Sequence, residues 1–377
     1  MDQILLGTAI AFIITFAAIP IIIQVSNAKK LFDHPDERKI HISPIPSLGG
    51  LGIFAGFILA CLFTISLYNA PDFQYFYAAT LVIFFLGLKD DILVLSPMKK
   101  FIGQMLAAFL IVYKGGLVIH SMHGFLGVYE LPEAFSLSFT YLTLIVIINS
   151  FNLIDGVDGL AGSLGLMTSL VFGIYFKSIG DVEYSTLAFC LGGSITAFLI
   201  FNHSPAKIFM GDTGSLLIGM VNAIMVIHFI NIAGNPESQL PIAASPAMGF
   251  AILMVPLFDT LRVFALRIFS RRSPFSPDRN HIHHLMMDNG MSHSMITYCC
   301  VGINIVFIAI AYYFRFVDCT VLILSLVTLA SLFTGIMFFT ARRRKIRIDE
   351  KYDNSQPAIT PTILQLKNKS FSTPEQN

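Results

Sequence analysis

The sequence predicts an all-α, polytopic integral membrane protein of about eleven transmembrane helices, with its N-terminus outside and its C-terminus cytoplasmic. Three observations carry that prediction. Of 377 residues, 55% are apolar and 12% charged, about half the charged share of a soluble domain. Mean hydropathy is +0.73. The apolar residues fall in long continuous runs rather than alternating with polar ones, which argues for helices and against a β-barrel. This composition excludes a water-soluble enzyme, a disordered chain and a secreted disulfide scaffold. A net charge of +1 gives no reason to expect a nucleic-acid partner.

A spanning helix needs about 20 mostly apolar residues to cover roughly 30 Å of hydrocarbon. The first run, 4–25, is interrupted only by Pro20; it follows Asp2, without the basic start of a cleavable signal, and so is expected to be retained. Further runs occupy 48–68, 73–88, 101–118, 135–151, 160–176, 184–201, 213–233, 247–266, 296–314 and 319–340. With that count and the N-terminus outside, all 24 lysines and arginines except Lys114, Lys177 and Arg315 fall on the cytoplasmic side. Basic residues in short loops set orientation, so this asymmetry supports both the count and its direction. Residues 1–347 form one transmembrane domain with cytoplasmic loops at 26–47, 89–100, 149–159, 202–212 and 267–295. The cluster Arg342-Arg343-Arg344-Lys345 stops transfer and suits anionic lipid, and 348–377 are expected to form a disordered cytoplasmic tail. The five cysteines form no C-x-x-C pair and mostly sit in apolar runs, as small hydrophobes. No internal repeat is present.

Acidic residues are expensive near lipid, so their grouping is informative. Asp90-Asp91 follow an apolar run and precede Lys99 and Lys100; on their own they could be a solvated helix end. Asn149, Asn152, Asp155 and Asp158 are spaced by three, which on a helix places them on one face, with Gly156 and Gly159 loosening the backbone. Asn202 precedes Lys207, Phe209, Gly211 and Asp212, where Asp212 can cap the next helix as well as offer a hard oxygen ligand. The loop Ser273–His284 holds Arg279, His281, His283 and His284; it has no familiar zinc spacing and suits anionic oxygens better. Asp259 and Arg262, three apart on one helix, are read as a structural ion pair. Together these groups describe carboxylates and amides for a hard divalent cation, and cationic groups for phosphate, gathered on one membrane face. Nothing resembles a P-loop or a kinase loop.

Five segments extend this reading: Asp33 to His41 (D-x-P-x-x-R-K-x-H), Pro46 to Gly50 (P-x-L-G-G), Asp90-Asp91, Asn152 to Leu160 (N-L-I-D-G-V-D-G-L) and Phe209 to Ser215 (F-M-G-D-T-G-S). In order and spacing they resemble the polyprenyl-phosphate N-acetylhexosamine-1-phosphate transferases of the glycosyltransferase family 4 type, over about residues 30–290. The histidine segment S-P-F-S-P-D-R-N-H-I-H-H looks like the bacterial undecaprenyl-phosphate N-acetylglucosaminyl 1-phosphate transferases rather than the peptidoglycan branch. The resemblance implies transfer of GlcNAc 1-phosphate from UDP-GlcNAc to undecaprenyl phosphate, releasing UMP, as the first membrane step of a surface polysaccharide. It places the protein in the bacterial inner membrane with its site facing the cytoplasm. It implies Mg²⁺, with Mn²⁺ as a substitute, held by Asn152 and Asp212, and catalytic roles for Asp90, Asp91, Asp212 and His281. Lys99, Asp155, Asp158, Asn202, Phe209, Arg279, His283 and His284 would bind substrate, the ring of Phe209 stacking on uracil. A homodimer is compatible with it. Alternatives are another UDP-N-acetylhexosamine, the muramyl-pentapeptide donor, or, in a different class, a transporter; the last would place its polar residues near the midplane between repeats.

Overall fold

The computed structural model describes residues 2–29, 45–271 and 281–355, and its regular structure is helical, with isolated backbone bridges such as Ser121 to Glu130. In chain order the helices are α1 Asp2–Lys29, α2 Gly49–Thr64, α3 Phe73–Ile92, α4 Pro97–Phe109 (continued by a wider turn over Leu110–Lys114), α5 Glu133–Ile154, α6 Leu160–Ser178 and α7 Val182–Asn202. Then follow α8 Gly211–Ala233, α9 Ser245–Ile252, α10 Met254–Phe269, α11 Ile282–Asp288, α12 His293–Tyr313 and α13 Cys319–Ser355. Starts are set by ordinary local chemistry. Pro97 opens α4 where its missing N–H costs nothing, the Asp181 carboxylate accepts from Tyr184 N at the head of α7, and the Ser292 hydroxyl accepts from Met295 N at the head of α12.

Every predicted run is helical, and most of the helices meet the length and apolarity of a membrane span. Seven helices are long and apolar enough to cross a membrane: α1, α5, α6, α7, α8, α12 and α13. The α9–α10 pair would make eight, although it bends by 90°. Three of the eleven expected runs fall below that length or apolarity, each for a physical reason. The run 48–68 overshoots α2, which stops at Thr64; α3 ends in Lys89-Asp90-Asp91; and α4 opens on lysines and runs only 13 residues before its π turn. The polar C-terminal segment also differs, since α13 continues as a helix through 348–355. Residues 356–377, including most of the expected disordered tail, lie outside the described residues.

α8 is the centre of the bundle, with 83% of its apolar stretch buried, and α2, α3, α5 and α6 pack round it. α1 lies against α2 and α7 on the periphery. Glycines allow the closest approaches: a Cβ on Gly50 would fall 2.2 Å from Gly214 N, and one on Gly87 2.5 Å from Thr213 Cα. α2 and α3 therefore touch the first turn of α8 backbone to backbone. The segment 119–134 is a hairpin, closed by Met122 N donating to Tyr129 O and Leu131 N to His120 O. All five cysteines are free thiols, and all but Cys299 are buried.

Candidate active site

The site is built on the N-terminus of α8. Gly211 has φ +70°, and a Cβ there would meet Ser47 O at 2.1 Å, so only glycine fits. The two preceding residues are held by the P-x-L-G-G segment: Phe209 N donates to Pro46 O at 2.7 Å, Gly49 N to Phe209 O at 2.9 Å and Gly50 N to Met210 O at 2.8 Å. Two motifs far apart in sequence thus form one ledge. Asp91 of α3, not Asp212, caps the helix. Its carboxylate accepts from Asp212 N (2.7 Å), Thr213 N (3.1 Å) and the Thr213 hydroxyl (2.5 Å), satisfying donors that a helix start leaves open.

With the backbone so fixed, Asp212 projects where α3, α4 and α5 meet. Lys100 Nζ lies 2.7 Å from Asp212 Oδ2 and also pairs with Asp90 Oδ2. Asn152 Nδ2 donates to Asp212 Oδ1 at 2.9 Å and to the Ser215 hydroxyl at 3.0 Å. Asp90 Oδ1 is fixed by Leu95 N at 2.6 Å. Burial and the neighbouring Asp212 carboxylate push the Asp90 carboxyl up to about 6, against the opposing pull of Lys100. The cation at this junction is Lys100; the expected counter-charge, Lys99, is exposed on the adjoining face of α4. Neighbouring helix positions point about 100° apart, so only one of two adjacent lysines can face α3.

The N-L-I-D-G-V-D-G segment does not form the single polar helical face its spacing suggests. α5 ends at Ile154, and Gly159, with φ +75°, turns the chain into α6. The four side chains consequently part company. Asn149 exchanges amide hydrogen bonds with Gln104 of α4, at 2.8 and 3.3 Å, while Asn152 reaches Asp212. Asp155 is half-buried beyond the helix end, and desolvation, with the charges of Asp212, Asp91 and Asp158, pushes its carboxyl up to about 8. Asp158 is buried, accepts from Ala206 N at 3.2 Å and lies 3.3 Å from His293 Nδ1. Asn202 is buried as well: its oxygen accepts from Gly159 N at 2.9 Å, and its Nδ2 donates to Ile208 O at 2.8 Å. Both sides of its amide thus brace the loops that carry Asp158 and Phe209. The Phe209 side chain is half-buried above that ledge.

The histidine segment reaches the same region through α10. Asp259, 1% exposed, accepts from Arg262 at 2.7 Å, confirming the expected ion pair, and also holds His281 Nδ1 at 2.9 Å and Ile282 N at 3.0 Å. It thereby fixes both His281 and the start of α11. The rings of His281 and His283 stack 5.8 Å apart, and His284 adjoins His283 at 4.3 Å. A Cβ on Gly156 would meet His283 Nε2 at 2.6 Å, so His283 lies over the turn after Asp155. Desolvation and the neighbouring His284 push the His283 imidazole down to about 3, so it is neutral. Arg279 and the segment from Asp33 to His41 lie outside the described residues.

Sequence reasoning missed Lys100, Ser215 and Asp259 as parts of this site. Two had a usable signal: Ser215 lies three residues, nearly one helical turn, beyond Asp212, and Asp259 is a charge inside an apolar run. Among the described residues no group of three His, Cys, Asp or Glu side chains closes round a metal ion. The donor set nevertheless suits a hard cation whose remaining ligands come from a substrate. Asp212 supplies a carboxylate, Asn152 an amide and Ser215 a hydroxyl, and the paired carboxylates of Asp90 and Asp212 already require the Lys100 ammonium between them.

Comparisons with known proteins assign the chain to a family. The family model described as glycosyl transferase family 4 matches residues 73–230, which include Asp90, Lys100, Asn152 and Asp212. The chain is 33% identical over 361 residues to the decaprenyl-phosphate N-acetylglucosaminephosphotransferase of Mycobacterium tuberculosis, covering 88% of each chain. It is 33% identical over 304 residues to the probable undecaprenyl-phosphate N-acetylglucosaminyl 1-phosphate transferase of Bacillus subtilis, covering 78% of this chain and 81% of that one. To the undecaprenyl-phosphate alpha-N-acetylglucosaminyl 1-phosphate transferase of Escherichia coli it is 29% identical over 299 residues, covering 78% and 79%. With its helical bundle and the carboxylates gathered at the head of α8, the chain belongs to glycosyl transferase family 4.

Proposed function

We propose that this protein transfers GlcNAc 1-phosphate from UDP-GlcNAc to undecaprenyl phosphate, giving GlcNAc-diphospho-undecaprenol and UMP, at the cytoplasmic face of a bacterial inner membrane. One observation carries the reading: Asp90, Lys100, Asn152 and Asp212, from four different helices, converge on a single point at one end of the bundle. The named activities of the relatives supply the substrates. The basic-residue asymmetry across the eleven apolar runs supports that orientation, and a polyprenyl carrier suits the assembly of a surface polysaccharide.

In this reaction an oxygen of the lipid phosphate attacks the sugar-bearing phosphorus of the donor, and the bond from that phosphorus to the UMP oxygen breaks. Asp90, raised in pKa and fixed by Leu95 N, would accept or orient the acceptor's proton. Lys100 offsets charge on the incoming phosphate. Asp155 and the half-buried Phe209 ring would flank the nucleotide, with Asp158 and Asn202 bracing the loops that carry them, and His281, its Nδ1 held by Asp259, would serve the diphosphate. Asp212 and Asn152 would hold Mg²⁺, and bound there the ion would neutralise charge on the donor diphosphate. Asp212 is engaged on both oxygens, which favours direct attack by the lipid phosphate over a covalent Asp212 intermediate.

The test is a donor screen with purified protein, reading lipid-linked product by mass. UDP-GlcNAc with undecaprenyl phosphate should give GlcNAc-diphospho-undecaprenol and UMP. Preference for another UDP-sugar, or UMP release without the lipid, would overturn the assignment.

A further inference from the structure

Where α9 meets α10 the chain turns through 90°. Pro256 explains why the helix cannot run straight: it has no N–H to return to Ile252 O, and its ring crowds that carbonyl. In an apolar bundle such a break strands backbone polar groups, which must find partners inside the protein. Here three are at stake, the carbonyls of Ala251 and Ile252 and the N–H of Val255. All three meet one side chain from α12. Val255 N donates to Asn304 Oδ1 at 2.9 Å, while Asn304 Nδ2 donates to Ile252 O at 3.0 Å and Ala251 O at 3.2 Å. Asn304 is wholly buried, at 0% exposure. Its amide is inserted into the helix ladder where Val255 would otherwise have bonded back to Ala251, a recognised cause of sharp kinks.

The bend aims α10, and α10 carries Asp259. Asp259 holds His281 Nδ1 and Ile282 N, so it sets both the imidazole and the origin of α11, from which His283 lies over Gly156. We infer that Asn304 is a positioning residue of the active site: by holding the α9–α10 bend it determines where Asp259 places His281 and His283. This rests on the reading above that the histidines serve that site.

The experiment compares wild type, Asn304→Ala and the double variant Asn304→Ala/Pro256→Ala. The second change restores an N–H at 256, letting a continuous helix satisfy its own backbone. Asn304→Ala should lower kcat/KM for UMP release by about a hundredfold, the scale of a displacement of about 1 Å, and lower the apparent Tm. The double variant should regain Tm and not turnover, because a straight helix carries Asp259 away from His281. It also carries the test if the single variant fails to fold. Spin labels at Phe269→Cys, on the exposed end of α10, and Ile174→Cys, exposed on α6, in a Cys299→Ser background, should report a changed distance in both variants. Turnover within about twofold of wild type, turnover recovering in step with Tm, or an unmoved label distance would each overturn the inference. Wild type that fails to turn over UDP-GlcNAc would count against the proposed reaction, while the label distances would still decide the role of Asn304.

Discussion

At the residue scale, each charged group at the head of α8 depends on the others. Asp212 is tolerable where it stands because Lys100 and Asn152 meet its two oxygens, and Lys100 because two carboxylates repay its desolvation. Asp91 is different in kind: three donors from the α8 backbone and Thr213 consume it, so its work is to hold the helix start in place. Asp212→Asn and Asp90→Asn should each lower turnover by about 100- to 1,000-fold with the protein still membrane-inserted; near-normal activity in both would remove them from the reaction. Asp155 gives a pH signature. Unfolded it ionises near pH 4, whereas folded it is held up to about 8. Between those values unfolding releases a proton, so this group makes stability fall as pH rises through the window and leaves it flat above about pH 8. Asp155→Asn should therefore flatten the decline in apparent Tm between about pH 5 and about pH 8, measured in chelator; an unchanged slope would show that Asp155 ionises normally in the fold.

At the scale of elements, the apolar runs were legible and their ends were not. Continuous hydrophobicity marks helix wherever it occurs, and each expected run is one, but apolar residues such as Ile65 and Leu67 beyond α2 sit in connections and make a helix look longer than it is. The polar spacing at 149–158 misled for a related reason. A period of three implies a shared face only while the helix lasts, and α5 stops at Ile154. Asn304 carried no signal at all, since one amide in an apolar run reveals nothing until its three backbone partners are seen. Close contact between elements yields a prediction of its own. Gly87→Ala would drive a methyl to within 2.5 Å of Thr213 Cα, where no flexible side chain can yield. α3 and α8 must then separate, at about 1–3 kcal/mol, and Asp91 would lose its grip on the α8 N-terminus. Gly302→Ala meets nothing within 4 Å and is the matched control. Equal activity and Tm in the two variants would show that the α3–α8 contact does not set the site.

At the scale of the whole molecule, the bundle brings the polar groups of four helices together at one of its ends. Asp90 on α3, Lys100 on α4, Asn152 on α5 and Asp212 on α8 are scattered over 123 positions of sequence yet are linked in one chain of contacts, Asp90 to Lys100 to Asp212 to Asn152. The convergence of Asn152 and Asp212, expected from motif resemblance, is met at 2.9 Å. The lysine that joins Asp90 to Asp212 became clear only from the relative rotation of α3 and α4. A site of this kind, hard oxygen donors beside a cation at the edge of an apolar bundle, suits a phosphate-bearing substrate whose tail remains in lipid. The most direct test is UMP release from UDP-GlcNAc by purified protein, titrated with Mg²⁺ in the presence and absence of undecaprenyl phosphate. Release should require both the cation and the lipid, and should disappear in Asp212→Asn; undiminished release after thorough chelation, or without lipid phosphate, would contradict the account.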